Sequence, residues 1–253
     1  LISIKNVTKK YGDKLALNDI SLDIKDGEIF GLIGHNGAGK STTIKSLVSI
    51  IDPTIGEIWI DEKELSKNRN EIKKMIGYVS DSPDMFLKMQ ALEFWRFIAD
   101  IYEVPENEVD SRLEFLYSEF DMKKNANGII EDFSHGMRQK TFLIAALLPN
   151  PRIWILDEPM TGLDPQSAYN LKELMKKHAQ EGNTVLFSTH VLEVAEQLCD
   201  RIGILSKGKL LFVGTMDELR GIHPGRSLEE IYLGMVNSAE NTIDIVNEPE
   251  NEK

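Results

Sequence analysis

Residues 28–51 read EIFGLIGHNGAGKSTTIKSLVSII, and the fold follows from this stretch. IFGLI is an uninterrupted apolar run of strand length. It passes directly into GHNGAGKS at 34–41, which has the form G-x-x-x-x-G-K-[ST], and TTIKSLVSII continues at helical length. Strand, glycine loop and helix in that order distinguish a phosphate-binding loop from a glycine-rich turn. Small residues at Gly34, Gly37, Ala38 and Gly39 let the backbone N–H groups from Asn36 to Ser41 turn inward, with His35 and Thr42 completing the loop. The helix that follows directs its positive end at the bound anion. Lys40 supplies a point charge for β and γ phosphates, and Ser41 offers a hydroxyl to Mg²⁺.

Away from the loop, a second apolar run, IWIL, ends in Asp157 and Glu158. A carboxylate at the C-terminal end of a buried strand stands where α/β sheets bind ligands, so Asp157 is expected to hold Mg²⁺ through water. Glu158 is placed to take a proton from attacking water. TVLF at 184–187 is another such run, and uninterrupted runs suit parallel strands covered on both faces. Residues 1–33 alternate around the turns YGD and KDG, as an antiparallel β arm would. From 84 to 148 the spacing becomes helical and aromatic-rich. The predicted organisation is one domain over 1–236. Its core and β arm occupy 1–83 and 149–220, a helical subdomain 84–148 and a C-terminal helical segment 221–236. An acidic, flexible tail is expected over 237–253.

Bulk properties set limits. The chain has 253 residues, one cysteine and a formal net charge of −12. Cys199 has no partner for a bridge and reads as core packing in a reducing compartment. The acidic balance argues against nucleic acid as a partner. The longest apolar run, FLIAALL at 142–148, is far short of a membrane span, and the first residues alternate instead of forming a leader's apolar block.

In their order, these segments resemble the nucleotide-binding subunits of ABC transporters. Tyr11 in KKYGDK resembles the family's adenine-stacking A-loop aromatic, and GHNGAGKST its Walker A. FSHGMRQK at 133–140 stands where its signature motif does. ILDEP is its Walker B, TGLD with Asp164 its D-loop, and His190 in STH its switch histidine. The resemblance implies an α/β P-loop NTPase cassette with a mainly parallel sheet, an antiparallel β arm and an inserted α-helical subdomain. It also implies Mg²⁺-dependent hydrolysis of ATP to ADP and phosphate, with Glu158 and His190 catalytic and two cassettes closing head to tail. In that closure Ser134, His135, Gly136 and Met137 act in trans, Ser134 and Gly136 gripping the partner's γ-phosphate. The sequences Gly136-Met137, GYVSDSPDMF and SLEEIYLGM resemble the bacterial ABC-2-type exporter branch, whose cassettes pair with a separate transmembrane permease. That implies a cytoplasmic protein held at the inner face of the membrane through the permease.

Several positions keep two readings. Tyr11 stacks on adenine or is an ordinary turn aromatic. Asp164, before Pro165, serves as N-cap and as D-loop residue at once. Adjacent Ser134 and His135 diverge at a helix start, so they are a poor nucleophile and base, and Ser134 reads first as an N-cap. Gly136 weakens that helix by roughly 1 kcal/mol against alanine, which points to close approach by another group. Asp81 replaces the family's Q-loop glutamine; it keeps an oxygen for Mg²⁺, loses an amide donor and adds negative charge. Phe86, Phe94, Trp95 and Phe97 either line a groove for the permease or pack the insert's own core. Two further functions are weighed against transport: a soluble ABC ATPase acting on nucleic acid or ribosomes, and a nucleotide-sensing module without turnover.

Overall fold

The computed structural model describes residues 2–81, 85–222 and 224–246. Strands β1 (Ile2–Tyr11) and β2 (Lys14–Ile24) pair antiparallel, burying alternate residues such as Ile2, Ile4, Leu22 and Ile24. The hairpin shifts register between Ile4 and Val7, where Asn6 and Asp19 adopt left-handed backbone conformations and Asn6 Nδ2 donates to Asp19 Oδ1 at 3.0 Å. Asn and Asp are the side chains that most readily tolerate that conformation. Strand β3 (Ile29–Ile33) is buried throughout and leads through the glycine loop into helix α1 (Lys40–Leu47). The chain then returns to the arm as β4 (Ile55–Ile60) and β5 (Lys63–Glu64), giving a four-stranded sheet ordered β2-β1-β4-β5.

Helix α2 (Arg69–Lys74) and strand β6 (Ile76–Val79) precede the helical insert: α3 (Ala91–Ile101), α4 (Glu106–Phe120) and α5 (His135–Leu147). Thereafter strands and helices alternate: β7 (Ile153–Leu156), α6 (Pro165–Gln180), β8 (Thr184–Thr189), α7 (Leu192–Leu198) and β9 (Arg201–Ser206). A hairpin strand β10 (Lys209–Gly214) and helices α8 (Met216–Ile222) and α9 (Leu228–Val246) follow. The second sheet is six-stranded, ordered β10-β9-β3-β8-β7-β6, and parallel except for the β9–β10 pair.

The apolar strands are explained by two cores on opposite faces of this sheet. Ile153 and Ile155 of β7 pack with Phe30, Ile44, Leu47 and the arm, whereas Trp154 and Leu156 pack with Phe94, Trp95, Leu143 and Ile144 of the insert. Trp95 is fully buried, and its Nε1–H donates to the Thr141 carbonyl at 2.8 Å, tying α3 to α5. Of the four aromatics weighed for a groove, Trp95 and Phe94 therefore belong to the insert's core. Phe86 and Phe97 remain 39% and 40% exposed.

The C-terminal boundary differs from the sequence reading. Helix α9 runs through position 237 to Val246, and residues 247–253 of the expected tail lie outside the described residues. A helix anchored by buried Ile231 and Val236 can extend through polar residues. Cys199 packs against Gly31, where an added Cβ would come 2.5 Å from its Sγ, and burial raises its thiol pKa well above the usual range.

Candidate active site

Strand β3 lies between β9 and β8, with β7 beyond β8, so the glycine loop and the ends of β7 and β8 meet at one sheet edge. The loop's last turn needs Gly39: its φ is +115°, and a Cβ there would lie 2.9 Å from Leu17 Cδ2 and 3.0 Å from the Ala16 carbonyl. The arm is thus pressed against the loop, and the β9–β10 turn braces its other side through Gly208 N–H donating to the Ala38 carbonyl at 2.8 Å. Gly34 and Ala38 are buried under the loop, while His35 turns its Nδ1 to the Asn36 carbonyl at 2.8 Å.

Above the loop opens a cleft of about 810 Å³. Its walls bring together Tyr11, His35, Asn36, Gly37, Gly39, Lys40, Ser41, Thr42, Asp81 and Glu158. The Tyr11 ring is half exposed, with Lys9 Nζ 5.2 Å from its centroid. Lys40 is 5% exposed; its Nζ donates to the Gly34 carbonyl at 2.7 Å and approaches Glu158 Oε1 at 3.2 Å. Its charge is held by neighbours that a phosphate can replace.

At the end of β7, Asp157 is fully buried. Burial raises its pKa above its ordinary value, and the neighbouring Ser188 and Ser41 hydroxyls oppose that shift, only Ser188 standing at hydrogen-bond distance. One oxygen, Oδ1, accepts from Ser188 Oγ at 2.5 Å, while Oδ2 is buried without a hydrogen-bond partner. The buried Asp157 Oδ2, the Ser41 hydroxyl near the same carboxylate and Asp81 on the cleft wall offer a hard, oxygen-only donor set of the kind Mg²⁺ shares with phosphates. The residues present fit the ion. Among the described residues no group of three or more His, Cys, Asp or Glu forms a self-sufficient cage. Glu158 adopts φ 49°, which turns its carboxylate back over the loop, where Oε2 meets His190 Nδ1 at 3.0 Å. A carboxylate between an ammonium and an imidazole at the cleft floor is placed to accept a proton from water.

The signature residues and Asp164 are not among the cleft's lining residues. Ser134 N-caps α5, its Oγ accepting from Met137 N–H at 3.3 Å, and Asp164 N-caps α6, accepting from Ser167 N–H at 2.9 Å. These two caps are joined. Lys140 Nζ lies 2.6 Å from Asp164 Oδ2, Gln139 Nε2 donates to the Pro159 carbonyl at 3.4 Å, and a Cβ on Gly136 would fall 2.4 Å from the Gly162 carbonyl. His135 packs on Gly162 as well. The close approach expected at Gly136 is therefore made, within this chain, by its own D-loop. Lys140 and the Ser167 contacts hold the Asp164 carboxyl far below the usual range.

The sequence reading missed Lys14, Leu15, Ala16 and Lys207, which line the cleft, and Ser188, which binds both ends of the Asp157–Glu158 pair. A lysine in the KG turn between two apolar runs was a weak signal for Lys207; nothing local marked Ser188.

The ABC transporter family model matches residues 17–161. The ABC-type transporter ATP-binding protein EcsA of Bacillus subtilis (strain 168) is 34% identical over 236 residues, covering 92% of this chain and 95% of the relative. The Nod factor export ATP-binding protein I of Burkholderia orbicola (strain AU 1054) is 33% identical, covering 91% of this chain and 76% of the relative. Among solved structures, an ATP-binding subunit of an ABC transporter superposes with a TM-score of 0.88 at 34% identity, covering 93% of this chain and 99% of that one. A dimeric post-hydrolysis cassette bound to ADP and Pi superposes with a TM-score of 0.77 at 27% identity, covering 85% and 99%. A phosphate loop facing a carboxylate pair across one sheet edge, in a chain with these relatives, places the protein in the ABC transporter family as an ATP-binding and ATP-hydrolysing subunit.

Proposed function

We propose that this cassette powers an exporter through a separate transmembrane permease, and that its hydrolytic step runs on Lys40, Glu158 and His190 with Mg²⁺ held by Ser41, Asp157 and Asp81. The observation that carries the reading is the juxtaposition, in one cleft, of Lys40 and Glu158 beside the partnerless Oδ2 of buried Asp157. Tyr11 stands at the cleft wall as a stacking platform for adenine, and residues 34–42 cradle the phosphates. As the polyanion engages Lys40, it competes with Glu158 for the ammonium, freeing that carboxylate to take the proton of attacking water. His190 holds the other carboxylate oxygen and so keeps Glu158 over the loop. Mg²⁺, when bound, neutralises charge developing on the phosphate oxygens.

Ser134 to Met137 lie apart from the cleft on their own chain, which suits service to the site of a second cassette. The export direction rests on the branch resemblance and on relatives named for export. No helix among the described residues is long and apolar enough to cross a membrane. Attachment at the inner face through the permease would use the exposed Phe86 and Phe97 rings, 5.6 Å apart, as part of its seat. The test is phosphate release by the purified protein, alone and with its co-purified permease. Mg²⁺-stimulated turnover is expected; its absence in both preparations would overturn the reading. Binding to DNA or ribosomes that weakens with salt would favour the soluble alternative.

A further inference from the structure

We infer that Ser188 is the positioning residue that sets both carboxylates of the site, leaving one oxygen of Asp157 available to metal and turning Glu158 over the phosphate loop. This rests on the hydrolytic reading above. The β7–β8 register pairs Leu156 with Phe187, so one step further along each strand Asp157 comes level with Ser188. The fully buried Ser188 hydroxyl is used twice: its O–H donates to Asp157 Oδ1 at 2.5 Å, and its oxygen accepts from Glu158 N–H at 2.9 Å. The first bond selects which carboxylate oxygen is engaged, and Oδ2 is left without a hydrogen-bond partner. The second ties down the peptide at the left-handed turn, φ 49°, from which the Glu158 side chain reaches Lys40 and His190. A non-glycine residue holds that conformation only when its surroundings over-determine it, and Ser188 supplies one such constraint. Residues that orient metal ligands from behind commonly change metal affinity or activity by about 10- to 100-fold when removed.

The experiment compares wild type with Ser188→Ala and Ser188→Thr in three measurements: ADP affinity in EDTA, Mn²⁺ half-saturation beside ADP by electron paramagnetic resonance, and kcat and KM for ATP. Ser188→Ala is expected to bind ADP in EDTA within about twofold of wild type, because Ser188 is not among the residues lining the nucleotide cleft. Its Mn²⁺ affinity and kcat should each fall by about 10-fold or more, with KM little changed. Ser188→Thr, which keeps the hydroxyl, should recover most of the Mn²⁺ affinity. The inference is overturned if Ser188→Ala matches wild type in Mn²⁺ affinity and kcat. It is equally overturned if metal-free ADP affinity falls in step with Mn²⁺ affinity, or if Ser188→Thr is as impaired as Ser188→Ala at an unchanged metal-free Tm. Ser188→Cys, close in size and a weak donor, gives the same readouts should the alanine variant not fold. Wild type that binds no Mn²⁺ beside ADP and hydrolyses no ATP overturns the hydrolytic reading itself, a result distinct from the others.

Discussion

Glu158 is held from three sides: its N–H by Ser188, one carboxylate oxygen by Lys40 and the other by His190. Glu158→Gln keeps the shape and removes the basic oxygen. Turnover should fall by about 10²- to 10⁴-fold while ATP affinity is retained, as read by phosphate release against equilibrium binding. His178 acts on stability instead. Its ring stacks on Trp154 at 3.8 Å, and burial pushes its pKa from 6.5 down to about 4. Between those values the unfolded chain binds the proton and the folded chain does not. The contribution is therefore full above about 6.5 and lost as pH falls towards about 4. Urea midpoints of wild type should decline over that window more than those of His178→Phe, which keeps an aromatic ring beside Trp154. Lys40, Ser41, Asp157 and Glu158 were legible because motif spacing carries them. Ser188 was not, since its partners Asp157 and Glu158 stand at the end of a strand distant in the chain.

The start of α5 and the D-loop form one contiguous block. Gly136, Gln139 and Lys140 face Gly162, Pro159 and Asp164, so the start of the signature helix packs directly on the turn that follows Glu158. A methyl at position 136 has no room beside the Gly162 carbonyl. Gly136→Ala is expected to destabilise the protein by about 1–3 kcal/mol, measured by denaturant titration, even though alanine favours an isolated helix. A Tm equal to or above wild type would show that the block yields easily. The sequence pointed to this glycine by its helix cost but not to what approached it. The approaching carbonyl belongs to a loop that only folding brings alongside.

At the scale of the molecule, the nucleotide cleft and the signature residues are separate on one chain, which is the arrangement a head-to-tail pair requires. Ser134→Arg should leave ATP binding by the monomer within about twofold, while abolishing ATP-dependent dimerisation in light scattering and with it turnover. An equal loss of binding would place Ser134 in its own chain's site. Most of the architecture was readable in advance: the arm from alternation, the sheet from uninterrupted apolar runs, the insert from helical spacing, and the ATPase family from motifs in order. The extent of α9 was not, because polar composition reports exposure and not backbone conformation. Local patterns sufficed for the phosphate loop and the carboxylate pair, since each is built from consecutive residues whose backbone geometry and charge are their function. The β7–β8 register that lays Ser188 against Asp157, and the packing of Gly162 on Gly136, required the tertiary fold. Strand register and helix–loop approach depend on burial and hydrogen bonding between segments far apart in the chain, which no short stretch of it encodes.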